Sequence, residues 1–262
     1  MNNHFFYSYQ GNKRREYETL KPFINLDGIT DIYESFCGSS AISFMIWKEH
    51  KNKFNYHLND NDTNLINIYK YFIDNDIDDI YKKLNDIKNT IKNKQDYDSL
   101  KNSINFNKKT FNITQDNFIY YLFFNKCYEM RAGLYKRNLH TSRDLKPNKE
   151  LLLFLEFIKS PNVFITCNNW IDDFKDDEKN LYIYDPPYIL SDNTFYSNCY
   201  VNANVYEYFF YNPLSNFKCR IIFILELNFI IKLLFKDFIK TIYSKTYQLT
   251  KKITEHCFIC NF

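Results

Sequence analysis

Apolar and polar positions change period several times along this 262-residue chain. Residues 31–37 (DIYESFC) and 54–60 (FNYHLND) are short apolar runs that close on turn residues, the pattern of strands. Between them, AISFMIWKEH has helical spacing, with Ser39 or Ser40 placed to cap its start. Residues 64–73 (NLINIYKYFI) resume a helical period, and residues 74–117, dense in Lys, Asn and Asp, predict helices within 77–93. FIYYLFFNKCYEM (118–130) is apolar enough for a buried helix, whereas 133–148 reads as a basic loop. Four elements follow, LLLFLEFI (151–158), VFITC (163–167), LYIYD (181–185) and IIFIL (221–225), the last three strand-like. Strands alternating with helices near both ends predict a mostly parallel sheet flanked by helices, an α/β fold.

Composition adds compartment and class. The most apolar stretch, 221–239, is interrupted by Glu226, Asn228, Lys232, Lys236 and Asp237, which suits a buried strand followed by a helix and rules against a membrane span. No apolar segment of signal-peptide type opens the chain. Cys37, Cys127, Cys167, Cys199, Cys219, Cys257 and Cys260 are scattered and odd in number, as in a reducing, cytoplasmic interior. Cys257 and Cys260 form a lone CxxC with no second pair, so two residues of a C-terminal strand are expected there and no metal. Asn and Lys, with Asp, are expected to fill the surface; the bias towards Asn, Lys, Ile, Tyr and Phe is that of an A+T-rich genome, such as a virus or parasitic microbe. Against that bias, the 4 Gly and 6 Pro carry more information than usual. A net charge of +3 neither demands nor excludes a polyanionic partner.

Two of the prolines sit together in LYIYDPPY, residues 181–188. An apolar strand that stops abruptly in Asp185-Pro186-Pro187-Tyr188 places this loop at the carboxyl edge of a sheet, where α/β proteins bind ligands. The carboxylate of Asp185 and the carbonyl of Pro186 can accept both N–H bonds of an exocyclic amine such as N6 of adenine. That frees the nitrogen lone pair for attack on a methyl sulfonium. The prolines stiffen the loop, and Tyr188 offers a face on which an extruded base can stack. The alternative is a tight turn after a strand, with Asp185 as a cap.

Two further segments gain meaning from their order. YESFCGSSAISF (33–44) is a strand, a glycine and small residues at a helix start; Asp60 follows Gly38 by 22 residues, at the end of the next strand, positioned for ribose hydroxyls. A common structural strand–Gly–helix turn is the competing reading. YQGNKRR (9–15) combines Tyr9, which can pack on a flat or cationic ligand, Gly11, which permits an unusual turn, and Lys13, which can reach a carboxylate. In isolation it reads as a basic N-terminal turn.

Taken in order, these segments resemble the Dam-like class of DNA adenine-N6 methyltransferases: aromatic-x-Gly-x-Lys, strand–FxG–helix, strand–Asp, an inserted region, then DPPY. VFITCNNWIDDF, SDNTFY and HCFICNF extend the resemblance over nearly the whole chain, with 74–117 matching least. It implies a Rossmann-like methyltransferase fold with S-adenosylmethionine as methyl donor, a catalytic domain of residues 1–65 and 151–262, and a mainly helical target-recognition insert at 66–150. Tyr9, Lys13, Asp60 and Asp185 would contact the cofactor, with Gly11, Phe36 and Gly38 around it; Asp185, Pro186, Pro187 and Tyr188 would form the catalytic loop. The chain departs from the class in two places. Ser40 stands where a second glycine is usual, and GLYKRN (133–138) has its arginine displaced by one.

Double-stranded DNA is the implied partner, with monomeric action the default. Lys126, Arg131, Lys136, Arg137, Asn138 and Arg143, with His140 and Lys146, form a basic stretch interleaved with Tyr128 and Tyr135 that could grip a duplex, or could be a solvated loop. Transfer to RNA or another amine, and a silent nucleic-acid-binding relative, stay open at this point.

Overall fold

The computed structural model describes residues 4–6, 9, 11–106, 111–126, 144–188, 203–246 and 253–262, with Asn125, Lys126 and Ala203 placed as backbone only. The chain divides into two compact units, one of residues 1–11 and 63–160, the other of residues 12–62 and 161–262.

The second unit holds a seven-stranded sheet in the order β3-β2-β1-β4-β5-β7-β6. Its strands are β1 (Asp31–Glu34), β2 (Asn55–Asn59), β3 (Val163–Thr166), β4 (Asn180–Tyr184), β5 (Arg220–Glu226), β6 (Ile239–Thr246) and β7 (Ile253–Cys260). β3, β2, β1, β4 and β5 pair in parallel, and β7 runs antiparallel between β5 and β6. This is the expected α/β methyltransferase architecture. β4 is buried at every residue and β5 at every interior one, as strands flanked on both sides and covered on both faces require.

Side-chain parity divides the core. Tyr182 and Tyr184 of β4, Ile221, Phe223 and Leu225 of β5, and Cys257 and Ile259 of β7 share one buried cluster. It also takes in Val205, Tyr206 and Phe209 from α8 (Ala203–Tyr211), and Ile231 and Phe235 from α9 (Phe229–Phe235). A row of rings crosses four strands in register: Phe164, His57, Tyr33 and Tyr182, with centroids 5.1, 4.2 and 4.6 Å apart. The unit is completed by the short α1 (Tyr17–Leu20) and by α2 (Ala41–His50), which buries Ile42, Phe44, Ile46 and Trp47.

The other unit is helical: α3 (Thr63–Asp74), α4 (Ile77–Thr90), α5 (Lys94–Ser103), α6 (Phe118–Lys126) and α7 (Lys149–Ile158). α3 buries Leu65, Ile66, Ile68, Tyr69 and Phe72, one helical face. Aromatics do the packing; Phe6 stacks on Phe72 at 3.8 Å, and both meet Phe154 or Phe118 edge-on.

Several expectations need correction. α4 lies within the stretch 77–93 expected to be helical and ends at Thr90; the unexpected feature is a separate α5 from Lys94, capped by a reciprocal box between Asn93 and Asp96. No serine side chain caps α2. Ser40 occupies the cap position in a left-handed conformation (φ 48°, ψ 39°), and the carboxylate of Glu34 accepts the Ser43 N–H at 3.1 Å instead. Nor are the asparagines merely surface filler. Asn59, Asn64, Asn85 and Asn261 each use both ends of the amide on backbone or side-chain groups, fastening segments far apart in sequence.

Candidate active site

The strand order reverses between β1 and β4. β1 leads outward to β2 and β3, and the chain then returns to the other side of β1. Beyond the carboxyl ends of two such strands their connections diverge and leave a crevice, the usual ligand site of an open α/β sheet. The loop at 35–40 leaves β1 here and the Asp185-Pro186-Pro187-Tyr188 loop leaves β4.

On the β4 side, Asp185 pairs with the ammonium of Lys13, whose side chain is only 6% exposed. The Tyr188 hydroxyl donates to the other carboxylate oxygen at 3.2 Å, and the Lys13 ammonium lies 5.6 Å from the Tyr188 ring centre. Burial pushes the Asp185 carboxyl above its usual range, and the charge and hydrogen bond of Lys13 pull it part of the way back. Pro186 is buried, and the Tyr206 hydroxyl of α8 donates to the Pro187 carbonyl at 3.3 Å, pinning a loop whose prolines already restrict it. Tyr188 packs edge-on against His256 of β7, centroids 5.4 Å apart. Burial, followed by the positive charge of Lys245, drives His256 down to about 3, so this imidazole is neutral.

On the β1 side, Gly38 has φ 47° and donates its N–H to Asp60 at 3.0 Å; the other Asp60 oxygen accepts from Asp62 at 3.0 Å. Cys37 N–H donates to the Asn59 carbonyl at 2.8 Å, so the β1 and β2 ends are stitched together. Burial raises Asp60 to about 6, against the pull of these backbone donors. Phe36 is half-buried and meets Tyr184 edge-on at 6.1 Å.

Lys13, Asp185 and Tyr188 are therefore brought together, as are Gly38 and Asp60. Tyr9 and Gly11 belong to the other compact unit, where Tyr9 packs edge-on to Phe5 at 5.4 Å and Gly11 takes φ 85°. Among the basic residues expected to meet DNA, Arg131, Lys136, Arg137, Asn138, His140 and Arg143 lie outside the described residues; Lys126 ends α6 with its side chain undescribed, and Lys146 is exposed.

The sequence reading passed over several neighbours. Glu34, 4% exposed at the end of β1, is raised to about 7 by burial, against the hydrogen bonds of Ser43. An acid closing a strand before a helix was the signal for it. Glu16 accepts from the Tyr243 hydroxyl at 2.6 Å and pairs with Lys245 at 2.6 Å, both on β6. No local pattern announced these partners. Among the described residues, no group of three or more His, Cys, Asp or Glu could hold a metal ion, and no helix is long and apolar enough to cross a membrane.

No curated protein matches the chain significantly. A family model does: that of the D12 class N6 adenine-specific DNA methyltransferases matches residues 9–250, nearly the whole sequence, and the chain belongs to this family.

Proposed function

We propose that the family's reaction, methylation of adenine N6 at specific sites in DNA, runs at the carboxyl ends of β1 and β4 with double-stranded DNA as substrate. Asp185 and the Pro186 carbonyl accept the two N6–H bonds, and Tyr188 is the stacking platform. The observation that carries this reading is the Asp185 carboxylate, half-buried at the switch point of the sheet and paired with Lys13.

S-adenosylmethionine, the family's methyl donor, supplies when bound an electrophilic methyl group on a sulfonium centre. The residues present fit it. Asp60 accepts from the Gly38 N–H at one oxygen and from the Asp62 N–H at the other, and a carboxylate's four acceptor positions leave room for a ribose hydroxyl. Ser39, Ser40 and Ala41 are small and buried beside Gly38, which admits a close backbone approach. Lys13 holds Asp185 anionic, so the carboxylate accepts hydrogen bonds and does not donate one. An amine whose two N–H bonds are held by fixed acceptors is drawn toward tetrahedral geometry, and its lone pair becomes available for attack. Residues 66–150, with the basic stretch from Lys126 to Arg143, remain our candidate for recognition of the target sequence, and Tyr9 and Gly11 for the cofactor.

The test pairs methyl-labelled S-adenosylmethionine with duplex DNA, single-stranded DNA and RNA in parallel. Label is expected on adenine N6 in the duplex, with Asp185→Ala lowering turnover by about a hundredfold or more. Label confined to single strands would remove the duplex from the proposal, and full activity in Asp185→Ala would remove Asp185.

A further inference from the structure

Beside the catalytic loop lies a second buried charge pair that the chemistry above does not use. Glu16 is 8% exposed, and its carboxylate is gripped from two sides by β6, by the Tyr243 hydroxyl and the Lys245 ammonium. The Glu16 N–H donates to the Lys13 carbonyl at 3.0 Å, closing a turn over residues 13–16, and the Glu16 carbonyl accepts from Thr19 and Leu20. Three residues earlier, the same turn carries the ammonium that meets Asp185.

We propose that Glu16 is a positioning residue: held by Tyr243 and Lys245, it fixes the turn that delivers Lys13 to Asp185. The inference rests on Asp185 being the N6–H acceptor. Asp185, Lys13, Glu16 and Lys245 alternate in sign, two anions and two cations, so the cluster carries no net charge in its working state. Although burial opposes its ionisation, Glu16 is kept below the usual carboxylate range by Lys13, Lys245 and Tyr243. A buried anion retained at that desolvation cost holds its partners in a defined geometry. Lys13 lies on a segment without regular structure until Tyr17, so its aim at Asp185 depends on such a tether.

Geometry and through-space charge make opposite demands on Asp185, which allows them to be separated. The groups facing Asp185 are Lys13 and Glu16 from the N-terminal segment, Lys245 from β6, Tyr188 from its own loop, Glu34 from β1 and Tyr206 from α8. Glu16 itself raises the Asp185 pKa by repulsion. Neutralising Glu16 through charge alone would therefore move the acid limb of the kcat–pH profile to lower pH. Releasing Lys13 from Asp185 would move it to higher pH, by about one pH unit.

Glu16→Gln and Tyr243→Phe, which changes no charge, are compared with wild type for kcat against pH, with melting temperature as the control for folding. Both variants are expected to raise the acid limb. In Glu16→Gln the kcat should also fall by about tenfold to a hundredfold, the effect of a small misplacement. An acid limb that stays in place or falls in the folded variants overturns the clamp, whatever the size of the kcat loss. If Glu16→Gln does not fold, Tyr243→Phe decides alone. Asp185→Asn separates this failure from that of the underlying reading. If that variant is inactive, or active without an acid limb, Asp185 is upheld and only the clamp can fall. If it keeps the wild-type limb, both fall.

Discussion

Ser40 sits where only glycine is comfortable. With φ 48° and ψ 39° it is left-handed, two residues after Gly38 at φ 47°, and it carries a side chain that crowds the following carbonyl. The turn from β1 into α2 needs two positive φ values in quick succession. The strain of a non-glycine residue in this region is about 1 kcal/mol, partly offset by the lower entropy of serine in the unfolded chain. Ser40→Gly should therefore raise stability by about 0.5 kcal/mol, read as a higher urea midpoint with unchanged slope. A lower midpoint would mean that the hydroxyl contributes more than the backbone loses.

Elements meet through asparagine to an unusual degree, and Asn59 at the end of β2 is the best placed example. Its amide nitrogen donates to the Ser35 and Asn168 carbonyls, while its oxygen accepts from the Thr166 hydroxyl and the Asn168 N–H at 2.9 and 2.8 Å. One side chain so ties the exits of β1, β2 and β3, immediately before Asp60. Asn59→Ala removes all four bonds, leaves the buried Ser35 carbonyl without this donor, and should cost about 2 kcal/mol in urea unfolding. It should also weaken methyl-donor binding more than DNA binding, because the Gly38–Asp60 contact lies next to it; equal weakening of both would count against that link. None of this bracing was readable from local pattern, since an A+T-rich composition makes every asparagine look like filler. The central strands were legible because parallel strands covered on both faces are continuous apolar runs that end on their functional residues. Asp185, Gly38 and Asp60 were visible for the same reason. β6 was not, because an outer strand alternating Lys240, Ile242 and Ser244 with half-buried positions looks polar. The break between α4 and α5 carries no Gly or Pro, only the Asn93–Asp96 box. Glu16 and Tyr243 stand 227 positions apart, and only the folded sheet puts them in contact.

At the scale of the molecule, the sheet gathers three carboxylates near one switch point, Glu34 buried and Asp60 and Asp185 half-buried. Burial lifts Glu34 from 4.5 to about 7 and Asp60 from 3.8 to about 6, and Asp185 also moves upward. Glu34 and Asp60 thus hold protons in the fold that the unfolded chain has already released. Stability rises with pH only where the unfolded state binds more protons, so these raised carboxylates pull it down across this window, whereas His256, neutral in the fold but protonated in the unfolded chain below about 6.5, pulls it up. Glu34 and Asp60 favour folding most below their ordinary values, and that advantage is lost as pH rises through about 6 to 7. Glu16, whose pKa is lowered, acts in the opposite sense: its contribution is present above its ordinary value of 4.5 and is lost on further acidification. Glu34→Gln separates the largest of these effects from the rest. The amide oxygen can still accept the Ser43 N–H that caps α2, but it cannot titrate. Between pH 5 and 7.5 the urea midpoint of wild type should fall relative to that of Glu34→Gln, the difference in unfolding free energy changing by about 1–3 kcal/mol across the range. Parallel profiles in the two proteins would show that Glu34 is ionised throughout. The fold would then hold a full negative charge beneath α2, and the capping bond to Ser43 would have to offset its burial.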